Sequence, residues 1–349
     1  MPSVDLLQWA EATVRRCSST GAVEGGVAAG GARGDKHATD DDHDAAVFAR
    51  WYDANGDVTE THTFASLWAE AGRVAHELRV SHGLAKGDRA ILCYGFGLDF
   101  FAAFLGCLRA GVLAVPVYPP SPLTLSKSLE KLQSVVHACE PKVMMISGDV
   151  NRLRLASKLN LVSSARRLWP TLPYIVARAS GVSNGEGGGT GRISKWLGLG
   201  RQEGVGGAGA GVEGEGEAES FDEESLREDD VAFLQFTSGS TSEPKGVMVT
   251  FKNLAHNARF ISGTCEKSFK SRGISEGQRV RGFSWLPQYH DLGLVMCTLT
   301  PFVSGWRMGY ISPIDFVRRP LLWLRLLSSE RAVFSCVPDF SLRLCVRKW

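Results

Sequence analysis

The sequence predicts an α/β protein whose mainly parallel sheets are flanked by helices. Three observations predict it. The runs Arg89–Tyr94, Val112–Val117 and Lys142–Ile146 lack the polar alternation of a sheet with one wet face; that pattern belongs to parallel strands covered on both sides. Segments of helical length and spacing separate these runs, as crossover connections require. The same strand–helix rhythm returns between Gln278 and Val337. At 349 residues with 44% hydrophobic side chains, the chain can build one large or two moderate domains around a substantial core.

In chain order, Val4–Arg16 has helical spacing, with Leu6, Leu7, Ala10 and Val14 on one side. Residues 21–44 are Gly/Ala-rich and then acidic, too poor in apolar residues to form a core. Residues 1–45 therefore read as an N-terminal helix plus a disordered Gly/Asp-rich insertion, ahead of one domain at 46–349. Ala46–Tyr52 and Val58–Phe64 make a hairpin about Asn55-Gly56. Thr63 opens a helix to about His82. After the strand Arg89–Tyr94, the mostly apolar helix Phe96–Gly111 leads to the strand Val112–Val117, which Pro119 and Pro120 stop. Ser126–Cys139 is an amphipathic helix and Lys142–Ile146 a strand. Leu153–Trp169 reads as helix and Tyr174–Ala177 as a short strand. Residues 181–220 are rich in glycine with scattered glutamates and read as a flexible surface insertion in that domain, a linker being the alternative. Val231–Phe236 is a buried strand. Thr250 is placed to cap a helix from Phe251 to about Ser262. Gln278–Trp285 is a strand, followed by a helix that ends at Gly305 and the strand Met308–Ile311. Pro320 suits the first turn of the helix Leu321–Ser328. A strand at Ala332–Val337 and a helix from Phe340 to the end complete the pattern.

Composition excludes several classes. A formal net charge of +2 points to neither nucleic acid nor an anionic membrane surface. The eight cysteines are scattered with no C-x-x-C, which indicates neither a zinc site nor a disulfide framework, but reduced thiols in the cytoplasm. The N-terminus lacks the pattern of a secretory signal. The longest apolar stretch, Phe100–Val117, is broken by Arg109 and Pro116 and reads as buried, not as a membrane span.

Two stretches carry chemistry. Directly after Phe236 come Thr237, Ser238, Gly239, Ser240 and Thr241, with Pro244, Lys245 and Gly246 close behind. Five small residues after a strand can turn several N–H groups toward one point and bind an anion such as phosphate. A plain turn is the other reading. It is not a Walker A loop, because Gly246 follows Lys245 where Ser or Thr is needed. The second stretch is Trp285-Leu-Pro-Gln-Tyr-His-Asp-Leu-Gly-Leu294. His290 and Asp291 sit where a strand gives way to a helix, a usual place for ligands in parallel sheets. His290 can donate to a phosphate or carboxylate oxygen and Tyr289 can wall an apolar pocket; alternatively Asp291 only caps the helix.

Thr237–Gly246 closely resembles the phosphate loop of the adenylate-forming enzymes, the acyl-CoA synthetases and peptide-synthetase adenylation domains. Ser242, where the usual loop has Gly, resembles the fatty acyl-AMP ligase branch. The Leu98-Asp-Phe helix, Ala110-Gly-Val, Val117-Tyr-Pro-Pro120, Leu286-Pro-Gln-Tyr-His-Asp-Leu-Gly-Leu294 and Val337–Arg347 follow that branch too, so the likeness spans about Ala46 to Trp349. The resemblance implies the front part of that family's large domain, with its C-terminal part and lid missing. It implies ATP and Mg²⁺, and a fatty or other carboxylic acid substrate. An acyl carrier protein or polyketide synthase is the implied partner. Thr237–Thr241, Lys245 and Gly246 would hold the β,γ-phosphates, with Lys245 and His290 in the catalytic machinery. Trp285, Tyr289, His290 and Asp291 would face the substrate, and no metal ligand is identified. The family's later motifs, with their Mg²⁺-linked glutamate, ribose-binding aspartate and lid lysine, do not occur before Trp349. The resemblance therefore implies a fragment that does not adenylate alone. An acyl-CoA ligase fragment and a non-catalytic, ligase-like binding module are the alternatives.

Overall fold

The computed structural model describes residues 5–19, 46–159, 168–177, 226–237, 244–274 and 280–349. The two insertions expected at 21–44 and 181–220 lie outside the described residues. Helix α1 is Asp5–Ser19. Strands β1 (Val47–Tyr52) and β2 (Val58–Thr63) form the expected hairpin. Asp53 accepts from the amides of Asn55, Gly56 and Asp57 through Oδ1, and Gly56 takes φ +96°. Helix α2 (Phe64–His76) starts from a reciprocal Thr63–Ser66 capping box and runs into a π-helical turn, Glu77–Ser81. Next come β3 (Arg89–Cys93), α3 (Asp99–Ala110), β4 (Leu113–Pro116), α4 (Leu125–Cys139), β5 (Val143–Ile146), α5 (Gly148–Leu159) and β6 (Tyr174–Val176). Strands β7 (Val231–Phe236) and β8 (Gly246–Thr250) lead into α6 (Phe251–Ser271) and β9 (Arg281–Ser284). A π-helical segment, Leu292–Leu299, continues as α7 (Thr300–Ser304). Strand β10 (Arg307–Tyr310) and helices α8 (Pro313–Arg318), α9 (Pro320–Ser329) and α10 (Asp339–Lys348) follow.

The described strands form two sheets. One has the order β6-β5-β3-β4-β7-β8, parallel except for the β7–β8 pair. The other has the order β2-β1-β10-β9, parallel except for the β1–β2 hairpin. Helix α3 lies between them. Its Phe101 meets Phe48 of β1 at 5.9 Å between ring centroids, and its Phe104 meets Phe233 of β7 edge-on at 5.5 Å. A helix enclosed by both sheets has little wet surface, which is why this one is apolar except at Asp99 and Arg109 near its ends. Gly111, at φ +67°, ends it. Helices α4 and α5 cover the opposite face of the six-stranded sheet, where Leu129, Leu132 and Val150 pack on Ile91, Val115, Met144 and Ile146.

Three element expectations need correction. The helix predicted at Leu153–Trp169 starts earlier, at Gly148, and Leu168–Trp169 lie in a turn, where the Trp169 indole donates to Ser157 Oγ at 2.8 Å. Helix α6 continues to Ser271, not Ser262, because Phe269 docks against Trp306 and Phe334. The strand predicted at Ala332–Val337 is a single bridge, Gly282–Phe334. The chain leaves the ladder there, and the Ser335 hydroxyl takes over, donating to Phe283 O at 2.6 Å.

Candidate functional site

Strand β7 delivers the hydroxyl-rich loop. Its last pair with β8 is Phe236–Gly246, and Thr237 N donates to Lys245 O at 3.1 Å. The hairpin therefore stays closed up to the loop mouth. A Cβ on residue 246 would stand 3.0 Å from the Phe236 ring, so glycine lets that ring lie across the mouth. Thr237, Lys245 and Gly246 are exposed at the two ends of the loop. Ser238, Gly239, Ser240 and Thr241 lie outside the described residues, as does Ser242.

The second stretch follows β9. His290 N donates to Pro287 O at 3.2 Å and Leu294 N to His290 O at 2.8 Å, which closes a tight turn into the π-helical segment. A Cβ on Gly293 would stand 2.1 Å from Pro287 O, so only glycine permits this turn. Asp291 caps the segment by accepting from Leu292 N at 2.6 Å. The same carboxylate lies 2.5 Å from His290 Nδ1, and both side chains are mostly exposed. Capping and orienting are thus done by one residue. With Nδ1 on Asp291, Nε2 is the nitrogen that His290 offers to a ligand.

Tyr289 is buried. Its ring packs against Tyr118 at 4.0 Å and Phe96 at 5.8 Å. Burial, helped by Tyr118, pushes its phenol well above the usual range, so it stays protonated. Trp285 is 4% exposed and stacks on Phe316 at 3.9 Å with Phe340 edge-on. Its ring faces are occupied by the protein's own side chains. Leu294 and Phe302 are wholly buried in the main core.

The strand that leads into the first stretch meets the second. Gln235 Nε2 on β7 donates to Tyr289 O at 3.3 Å. Phe96 follows β3, Tyr118 follows β4, the hydroxyl loop follows β7 and Tyr289 follows β9. Carboxyl ends of strands from both sheets therefore converge, the usual position of a ligand crevice in such folds. The sequence reading did not single out Phe96, Tyr118, Gln235 or Gln288 for this place. A faint signal existed in Gln235, the one polar residue of its strand. Among the described residues no three His, Cys, Asp or Glu side chains gather to hold a metal ion.

This arrangement of helix-flanked, mainly parallel sheets matches the front of an adenylate-forming large domain. The AMP-binding enzyme family matches residues 35–348, and the chain belongs to that family. It is 30% identical over 286 residues to the medium-chain-fatty-acid–[acyl-carrier-protein] ligase JamA of Moorena producens, covering 82% of this chain and 40% of that protein. It is likewise 30% identical over 296 residues to the long-chain-fatty-acid–AMP ligase FadD23 of Mycobacterium tuberculosis, covering 83% and 42%. The solved fatty acyl-adenylate ligase from L. pneumophila, in complex with acyl adenylate and pyrophosphate, matches with a TM-score of 0.62 at 29% identity, over 87% of this chain and 43% of that one. The chain thus spans about two-fifths of the length of these relatives. No described helix is long and apolar enough to cross a membrane.

Proposed function

We propose that the chain carries the nucleotide-facing and acyl-facing parts of a ligase that activates a fatty acid as its acyl-adenylate. The observation that supports this reading is the Gln235–Tyr289 link, which ties the strand leading into the hydroxyl loop to the turn that carries His290. The relatives named as fatty-acid ligases support the same class. In the reaction a carboxylate oxygen attacks the α-phosphorus of ATP, the bond to the β-phosphate oxygen breaks, and pyrophosphate leaves. Positioning and charge stabilisation dominate such a step. Thr237, Ser238, Gly239, Ser240 and Thr241 grip the β,γ-phosphates with amides and hydroxyls. Lys245 supplies positive charge at the loop's return and Gly246 admits the close turn. With both ring nitrogens protonated, His290, held through Nδ1 by Asp291, donates from Nε2 to the carboxylate or the α-phosphate. Tyr289 supports that turn from below, and Trp285 bounds the acyl side through its edge. Mg²⁺, when bound with ATP, would offset the charge of the phosphates, and none of the described residues is assigned to hold it. An acyl carrier protein, as in the JamA ligase's name, is the proposed acceptor, alone or within a polyketide synthase, and the cytoplasm the proposed location, supported by eight free thiols.

The ribose aspartate and lid lysine implied by the resemblance are not in these 349 residues. The purified chain is therefore expected to bind Mg·ATP and an acyl-adenylate mimic in calorimetry, and to show no fatty-acid-dependent pyrophosphate release. Absence of nucleotide binding sinks the reading. Pyrophosphate release by the 349-residue chain overturns the dependence on further residues.

A further inference from the structure

Gln235 reaches the Tyr289–His290 turn from β7, and Gln288 lies in the chain just ahead of it. Gln235 Nε2 donates to Tyr289 O at 3.3 Å, and Gln288 Oε1 accepts from Gly97 N at 3.4 Å. The first bond ties the turn to the strand that feeds the hydroxyl loop. The second ties it to the connection between β3 and α3, where Phe96 packs on the Tyr289 ring. Gln288 is only 3% exposed. The remaining amide atoms, Gln235 Oε1 and Gln288 Nε2, are buried without a hydrogen-bond partner. Burying half-satisfied amides is costly, and apolar residues would fill the same space more favourably. Such groups call for a specific reason.

We propose that Gln235 and Gln288 are positioning residues that fix the His290 turn to the nucleotide loop's strand and to the β3–α3 connection, so that the acyl side and the nucleotide side of the site stay in register. This rests on the proposed function. Neither amide touches substrate; each acts through the backbone of the turn. The two bonds have opposite polarity, and that gives the test its signature. Gln288→Glu keeps an acceptor for Gly97 N, whereas Gln235→Glu sets a carboxylate against the Tyr289 carbonyl.

The probe is an acyl-sulfamoyl adenosine, a non-hydrolysable acyl-adenylate that spans both sides, titrated calorimetrically into the 349-residue chain. Gln235→Leu, Gln235→Glu and Gln288→Leu are each expected to weaken binding about tenfold, while Gln288→Glu, which keeps the acceptor for Gly97 N, weakens it less than Gln288→Leu. In a His290→Ala background, Gln235→Leu should add less than about twofold, because the group it positions is gone. Gln235→Met, which keeps the side chain's length, replaces Gln235→Leu if that variant does not fold. Full additivity with His290→Ala, or wild-type binding by Gln235→Glu, overturns the proposal and leaves the proposed function standing. No binding by the wild-type chain overturns both.

Discussion

A single glycine decides the geometry of the His290 turn. With Pro287 O where a Cβ would be, Gly293→Ala has to open the turn or displace Leu286 behind it. Overpacking of this kind costs about 1–3 kcal/mol; a urea titration of Gly293→Ala is expected to show that loss, with His290 no longer held at the strand end. His62 makes a second residue-scale prediction. It is 6% exposed, its Nδ1 has no hydrogen-bond partner, and burial pushes its imidazole below the usual value against the upward pull of Glu60 and Glu70. The folded state then binds fewer protons than the unfolded chain below about pH 6.5. His62 therefore costs nothing above that pH, and stability falls as the pH drops through it. Tm measured from about pH 7.5 to about pH 5.5 should decline, and His62→Gln should flatten that slope.

Among the elements, the α2–α3 crossing is a close fit. A Cβ on Gly106 would stand 2.5 Å from Val74 Cγ1 and 3.0 Å from Ala71 O. The two helices touch because residue 106 has no side chain, and Arg109 then reaches Trp68, lying 4.2 Å over its ring and donating to its carbonyl at 2.9 Å. Gly106→Ala is expected to destabilise by about 1–3 kcal/mol, and Val74→Ala to return part of that loss in the double variant, both read from denaturant midpoints. Elements whose signals are local were legible in the sequence: the Asn55-Gly56 hairpin, the Thr63 and Thr250 caps, and the glycine stops at 111 and 305. Elements set by distant partners were not. Residues 263–271 carry few buried side chains, and only Phe269's contacts with Trp306 and Phe334 account for helix α6 reaching Ser271. The apolar run Ala332–Val337 has strand composition, yet its neighbour Gly282 offers it one bridge.

At the scale of the molecule, the rhythm of strands and helices foretold parallel sheets, but not which strand joins which sheet. The pairing of β1 with β10 joins segments far apart in the sequence, and no local pattern marks it. The site was legible as two motifs; their junction through Gln235 and Tyr289 depends on that long-range assembly. The core has a chemical consequence. Burial raises the thiols of Cys93 and Cys107, and pushes Cys297 up to about 12. In native buffer a thiol reagent should modify the partly exposed Cys17, Cys265 and Cys336 first, and reach the buried Cys93, Cys107, Cys139, Cys297 and Cys345 only on unfolding; early labelling of Cys93 in peptide mass maps counts against this core.

Helix α1 closes the same core from outside the hairpin. Leu6, Leu7, Ala10 and Val14 are buried in it, Thr13 donates to Val303 O at 2.6 Å, and Asp5 pairs with Arg259 on α6. Two leucines and a valine at about 1.5–3 kcal/mol each rival the about 5–15 kcal/mol that holds a typical domain together. The helix therefore acts as a structural wall for α6 and α7, and through α7 for the π-helical segment that begins at the His290 turn. Removing residues 1–19 is expected to abolish cooperative thermal unfolding. Thr13→Val, the milder variant, leaves Val303 O without its donor and should cost about 1 kcal/mol. A truncated chain that melts at the wild-type temperature, together with an unchanged midpoint for Thr13→Val, would mean that α1 only rests on the surface and that α7 keeps its place without it.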